Sequence, residues 1–269
     1  MFQHLQAILR LTRAKAYSYT LFSIIAVICL IAPQDLLSIK TALVFLANLF
    51  LTAFVYAFND VEDASDDYTI LEKRLRNPIT NGDLSVIKGY LISFALLSIG
   101  LFILSLIGPL ASFFGLVLGL IGFLYSWRPV RLKSIPYADL ISHILCLGVL
   151  QFFMTYSTFR PIDVFTIPFL MIIIPFSLMV EVLFELRDFG VDRETNVKNT
   201  IQRLGRFGPK KLLVASGAIA VAGFVIIFLA IPFEYKIAVL FSSLLLAILI
   251  ASKVNSFLKT NCLKASNRI

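Results

Sequence analysis

The feature that most constrains this chain is a series of long apolar runs. They fall at about residues 18–33, 40–58, 88–107, 110–126, 138–157, 164–184, 211–232 and 235–252. A bilayer core of ~30 Å needs ~20 apolar residues per spanning helix, and these runs approach that length. No period-two alternation runs through them, so they do not read as the strands of a membrane barrel. Hydrophobic residues make up 59% of the chain and the mean hydropathy is +0.89, which excludes a soluble globular domain. The fold class is an all-α polytopic membrane protein with about eight transmembrane helices.

The net charge of +8 is a statement about topology rather than about nucleic acid. Lys and Arg gather in cytoplasmic loops of membrane proteins. With eight spans and a cytoplasmic N-terminus, 21 of the 24 basic residues fall on one side; Lys40, Arg160 and Lys236 fall on the other. Both termini are therefore expected on the cytoplasmic side. The opening MFQHLQAILRLTRAK lacks the long apolar region and cleavage site of a signal peptide. Phe2, Leu5, Ile8 and Leu9 share one helical face, so an interfacial helix over about 2–14 is expected. Cys29 and Cys146 lie in spans and Cys262 in the tail, a spacing that suggests neither a disulfide nor a metal site.

Eleven of the sixteen acidic residues occupy two short stretches, 60–72 and 181–194, at the cytoplasmic ends of spans two and six. Asp60, Asp63 and Asp67 stand at i, i+3, i+7, and so do Glu185, Asp188 and Asp192. On a continuous helix those offsets share a face. Each triad follows the second helix of a four-helix set, so the chain reads as one membrane domain, 1–269, of two parallel halves, about 18–126 and 138–252. Parallel repeats place the working site between them. Crowded carboxylates are costly without a cation. An oxygen-only set, with Asn59 adding a neutral carbonyl, suits Mg²⁺ held by a few carboxylates and a phosphate. Basic stretches follow each triad, and from them Arg76, Lys133 and Lys198 are selected as diphosphate contacts.

These residues resemble the motifs of the UbiA superfamily of intramembrane prenyltransferases. Asn59-Asp60-x-x-Asp63-x-x-x-Asp67 is similar to the first signature, and KRLRNPITNGDLS, 73–85, to its continuation. YSWRPVRLK, 125–133, resembles the segment after the fourth helix, and ELRDFGVDRETNVKNTIQRLG, 185–205, the second aspartate-rich motif. The resemblance implies helices around a central cavity open to lipid, and Mg²⁺-dependent transfer of an isoprenoid chain from a polyprenyl diphosphate to a lipophilic acceptor. It implies Mg²⁺ ligation by Asn59, Asp60, Asp63, Asp67, Asp188 and Asp192. Arg76, Lys133 and Lys198, with Asn59 and Tyr125, would contact the diphosphate. Asp60, Asp63, Glu185 and Asp188 are the acids expected to carry catalysis. The chain departs from the pattern at Glu185, where Asp is usual, at Ile201-Gln202 after Thr200, and in showing eight spans where nine are general.

The alternative is a cation transporter built on the paired acids. Transport sites lie near the bilayer midplane, whereas both triads lie at one face. Only Glu181, one turn inside, goes deeper.

Other features read as architecture. Gly115, Gly119 and Gly122 form a close-packing stripe, and Pro175 a kink in span six. His143 reads as an isolated intramembrane polar residue packed on a hydrogen-bond partner. Tyr56, Phe58, Tyr125 and Phe184 fall near the predicted site; each reads first as a packing or lipid-facing aromatic, and at the site aromatic faces would stabilise a developing cation.

Overall fold

The computed structural model describes residues 2–14, 17–194, 199–204, 208–230 and 236, and among these there is no strand. The chain opens with α1 (Phe2–Leu11) and α2 (Ser18–Ile31). A helix rises ~1.5 Å per residue, so the 14 residues of α2 are shorter than a full bilayer crossing. Pro33 then starts a single 3₁₀ turn. In α1 the buried residues are Ala7 and Leu11, packed on Val61, Ile79 and Leu84. Leu5 and Leu9 face outward, which leaves an apolar stripe free for the interface.

Ser38 caps α3 (Ile39–Glu62), its hydroxyl accepting from the Thr41 N–H at 3.3 Å. Such a cap satisfies one of the unpaired amides of a first turn. The helix runs one turn past the expected boundary at 58 and carries Asn59, Asp60 and Glu62 within it. At Asp63 the chain leaves regular helix, and a separate short α4 (Ala64–Asp67) follows, then α5 (Leu71–Arg76). The first triad therefore does not lie on one uninterrupted helical face. Across the break at Asp63, Asp63 meets Arg131 and Lys133 while Asp60 and Asp67 both lie by Arg76.

Ser85 caps α6 (Val86–Ile107), and Gly108-Pro109 joins it directly to α7 (Pro109–Ser126). The glycine stripe faces inward. A Cβ at Gly119 would stand 2.7 Å from Leu97 of α6, and one at Gly122 would stand 2.7 Å from Val55 of α3. These close approaches seat α7 against a core of Leu51, Phe54, Phe58, Leu104 and Leu118, all at most 1% exposed.

The fifth span is built in three pieces: α8 (Ala138–Ile144), a π turn over Leu145–Val149, and α9 (Leu150–Phe159). Next comes α10 (Thr166–Glu194), with Pro175 inside it, then α11 (Thr200–Leu204) and α12 (Gly208–Ala230). Among the described residues, six segments are long and apolar enough to cross a membrane. The expected eighth span, 235–252, lies outside the described residues. The chain divides into two compact units, Met1–Gly223 and Phe224–Ile269. In the second, Phe224 and Phe228 stack at 6.1 Å. The site described below belongs wholly to the first.

Candidate active site

A cavity of about 750 Å³ opens where the acidic and basic motifs meet. Its polar lining includes Asn59, Asp63, Asp66 and Asp67 from the first acidic stretch, and Arg13, Arg76, Arg131 and Lys133 from basic segments. Glu181 and Glu185 of α10 enter from the later part of the chain, with Asp139 and His143 of α8. Apolar walls come from Val55, Cys146, Leu147 and Phe184. The cavity is thus most densely charged at the helix ends, and deeper in, its apolar side chains surround Glu181 and His143.

Asn59 and Asp63 are joined by Lys133. Its Nζ lies 2.9 Å from Asn59 Oδ1 and 2.5 Å from Asp63 Oδ1, and the Ser126 hydroxyl donates to the same Asn59 oxygen at 2.9 Å. Burial of the Lys133 ammonium lowers its pKa below the ordinary lysine value, with Asp63 opposing the shift. Arg131 donates to Asp63 at 3.1 Å and to Asp66 at 2.5 Å. Burial alone would raise the Asp66 pKa; Arg131 and Arg128 outweigh it, so the carboxyl titrates lower than usual.

Asp60 does not line the cavity. It is fully buried beside it, paired with Arg13 and, at 3.9 Å, with Arg76. Its second oxygen, Oδ2, has no hydrogen-bond partner. Asp67 lies 3.9 Å from Arg76 and accepts from Asn77 Nδ2 at 3.0 Å. Burial raises its pKa, against the opposing pull of Asn77 and Arg76. Asn77, itself fully buried, also donates to the Asp60 carbonyl at 2.7 Å, so one amide ties α3 to the end of α4.

Glu62 has a different task. It accepts from the Tyr90 hydroxyl at 2.6 Å and from the Arg128 N–H at 3.1 Å, anchoring the 127–134 loop against α3 and α6. Among the described residues, three other than glycine have positive φ: Arg13, Arg131 and Tyr137. Such backbone costs about 1–3 kcal/mol per residue and gathers where surrounding structure enforces it. Here it aims two of the cavity's guanidinium groups.

On the later side, Glu185 is buried and accepts the Ile201 N–H at 3.1 Å through Oε2, while its Oε1 has no partner. Thr200 is fixed to Asp139, its N–H donating at 2.7 Å, and the Tyr137 N–H donates to the Thr200 hydroxyl at 2.6 Å. One turn deeper on α10, Glu181 pairs with His143 Nδ1 at 2.7 Å, and the Tyr125 hydroxyl stands 3.4 Å from its other oxygen.

The structure brings together Asn59, Asp63, Asp67, Arg76, Lys133, Tyr125 and Glu185 at one cavity and sets Asp60 just behind it. The side chains of Asp188 and Asp192, and all of Lys198, lie outside the described residues. Phe58 follows the packing reading. It packs in the core, 5.0 Å from the Phe123 ring, because the inward face of α3 at that turn meets α6 and α7. Sequence reasoning missed Arg13, Arg131, Asp66 and Asp139 as lining residues. Each comes from a different segment, and local spacing carries no signal for such convergence. Arg13 shows what was hidden: it lies 47 positions from the Asp60 it neutralises and stacks 5.1 Å from the Tyr56 ring.

The donor set fits a hard divalent cation in chemistry: carboxylates and an amide oxygen, with one buried Asp60 oxygen unsatisfied. Among the described residues no three His, Cys, Asp or Glu side chains are already gathered as a cage. Of the triad acids, Asp60, Asp63 and Asp67 are instead paired with Arg and Lys of this chain, and Glu185 with the Ile201 N–H.

Comparison with known proteins places the chain in a family. Residues 20–267 match the UbiA prenyltransferase family. Among curated proteins nothing matches the chain. Among solved structures it is similar to a UbiA homolog from Archaeoglobus fulgidus bound to GPP and Mg²⁺, with 24% identity and a TM-score of 0.72, over 91% of this chain and 87% of that one. It is also similar to a digeranylgeranylglyceryl phosphate synthase, with 21% identity and a TM-score of 0.66, over 96% and 94%. A UbiA homolog from Aeropyrum pernix K1 shares 16% identity with a TM-score of 0.67, over 94% and 90%. Matched across nearly its whole length, the chain belongs to the UbiA prenyltransferase family.

Proposed function

We propose that this protein transfers an isoprenoid chain from an allylic polyprenyl diphosphate to a lipophilic acceptor in a Mg²⁺-dependent reaction, releasing diphosphate on the cytoplasmic side. The observation that carries the reading is the two-ended cavity, most densely charged at the ends of membrane helices and walled by apolar side chains deeper in. An allylic diphosphate has the same two ends. The complexes of the A. fulgidus homolog with GPP or DMAPP and Mg²⁺ support the donor class and the metal.

In this reading Asn59, Asp60, Asp63, Asp67, Asp188 and Asp192 hold the metal. Bound Mg²⁺ would supply positive charge to the phosphate oxygens as the leaving group departs. Arg76, Lys133 and Lys198 spread the remaining charge over those oxygens. Lys133 and Arg131, now bonded to Asp63, are placed to exchange that carboxylate for phosphate. The apolar wall keeps water from the allylic cation as the C–O bond loosens. A transporter would need no such basic residues beside its acids.

The test is prenyl transfer by purified protein in nanodiscs, with radiolabelled geranylgeranyl diphosphate, pooled aromatic and lipid acceptors, and Mg²⁺ or EDTA. Mg²⁺-dependent label in a new lipid, lost in Asp63→Ala and Asp188→Ala, is the expected result. Absence of product, of diphosphate release and of donor binding at several chain lengths would sink the reading.

A further inference from the structure

The pair Glu181–His143 is left unused by the donor chemistry. Both side chains are under 10% exposed, both lie in membrane-spanning helices, and both line the cavity. A buried carboxylate beside an imidazole is weak support for a fold, because its desolvation cost can exceed what the contact returns. Ionisable groups inside a membrane segment mark function by default.

The fold is specialised to bring the two together. The π turn Leu145–Val149 follows α8 immediately after His143's last turn, and π turns recur at functional sites. Within it, Gly148 packs so closely on Ser177 of α10 that a Cβ would collide with that hydroxyl; Ile173 would be 3.2 Å away. Glu181 stands one turn beyond Ser177. The close crossing of α8 and α10 thereby sets imidazole against carboxylate at 2.7 Å.

The orientation of the ring is informative. Nδ1 faces Glu181, so Nδ1–H donates to the carboxylate, and this fixes the tautomer with a lone pair on Nε2. Among the described residues no side chain is hydrogen-bonded to Nε2. Glu181 is four residues before Glu185, about 6 Å deeper by helical rise, on the membrane side of the ionic mouth.

We propose that His143, oriented by Glu181, accepts a proton from a hydroxyl group of the prenyl acceptor. The proposal rests on the prenyl-transfer reading above and assigns the residue that takes the proton when the acceptor is a phenol or an alcohol. In the step, the acceptor O–H breaks and its proton passes to His143 Nε2. The electron pair left on the acceptor, at that oxygen or conjugated through a ring to carbon, bonds to the allylic C1; where a ring carbon is alkylated, the hydrogen on that carbon then leaves as a proton and the keto oxygen takes one up, which regenerates the phenol. The C1–O bond breaks and its pair leaves with the diphosphate. Glu181 balances the imidazolium that results.

The titratable groups facing this pair are Tyr56 from α3, Tyr125 from α7, Asp139 on α8 and Glu185 on α10, with Lys133 at the mouth. None duplicates the arrangement of a carboxylate and an open imidazole nitrogen.

The experiment compares wild type, His143→Gln and Glu181→Gln in nanodiscs. The donor is geranylgeranyl diphosphate with Mg²⁺. The acceptors are 4-hydroxybenzoate, as the phenol, and an alkylglyceryl phosphate, as the alcohol, each beside its O-methyl ether. Donor binding and acceptor-free diphosphate release should stay within about twofold in both variants, while transfer falls by roughly 100-fold or more, the usual range for loss of a general base. Wild-type transfer to the hydroxyl probe should rise with pH along an acidic limb that His143→Gln lacks, and the ethers should take no label. Unchanged transfer and pH profile in the variants, label on the ethers, or donor binding lost in parallel with transfer would each overturn the proposal while leaving the donor reading intact. Label on neither hydroxyl probe by wild type also overturns it. Wild type that neither binds donor nor releases diphosphate overturns both.

Discussion

The Lys133 ammonium lies 2.5 Å from the Asp63 carboxylate, joining two segments 70 residues apart at the mouth of the cavity. Each partner belongs to a separate motif, one predicted for metal and the other for diphosphate. In this state they neutralise one another. In the proposed reading, donor binding opens that pair and gives both groups new partners.

Replacement of Lys133 by Met should weaken donor binding by about 10- to 100-fold, the worth of a charge-assisted hydrogen bond of roughly 1.5–3 kcal/mol. The pH dependence follows from the lowered Lys133 pKa. The protonated form is the one that binds phosphate, so affinity should fall as pH rises through a value below that of an ordinary lysine. In Lys133→Met this alkaline loss should vanish. Donor titrations from neutral to strongly alkaline pH check both points.

Asp63 and Asp66 are neighbours at the cavity and share Arg131. Only Asp63 belongs to the triad. Asp63→Ala should abolish Mg²⁺-dependent donor binding, whereas Asp66→Ala, losing a half-exposed ion pair worth about 0–1 kcal/mol, should lower it by less than about tenfold. Isothermal titration with and without EDTA distinguishes them. Equal losses would mean that the metal set is not the spaced triad.

Asn77 should matter for stability first. Asn77→Leu removes the bonds to the Asp60 carbonyl and to Asp67 and leaves buried acceptors unpaired, each at about 1–3 kcal/mol. A large drop in thermal unfolding temperature in detergent is expected. An unchanged midpoint would remove Asn77 from the scaffold.

Two glycines should respond with opposite sign. At Gly122 an added Cβ meets Val55 at 2.7 Å, so Gly122→Ala should destabilise by about 1–3 kcal/mol through overpacking. At Gly217 nothing stands within 4 Å, so Gly217→Ala should gain roughly 0.5–1 kcal/mol of helix stability. Paired thermal melts decide the matter.

The sequence alone determined the membrane class, the places of the described spans to within a few residues, and the fold family. Each of these depends on local properties: apolar run length, charge asymmetry and motif spacing. It also pointed to Asn59, Asp63, Arg76 and Lys133 as residues that would meet, because their motifs repeat a known order. Tertiary structure alone decided that Asp60 sits behind the cavity, since its direction depends on the helix break at Asp63 and on Arg13 arriving from before the first span. It alone turned Glu62 into a scaffold acid and His143 into half of a buried pair. Those outcomes depend on how closely one helix crosses another, as at Gly148 and Ser177, and spacing along one chain segment carries no record of the distance to its neighbour.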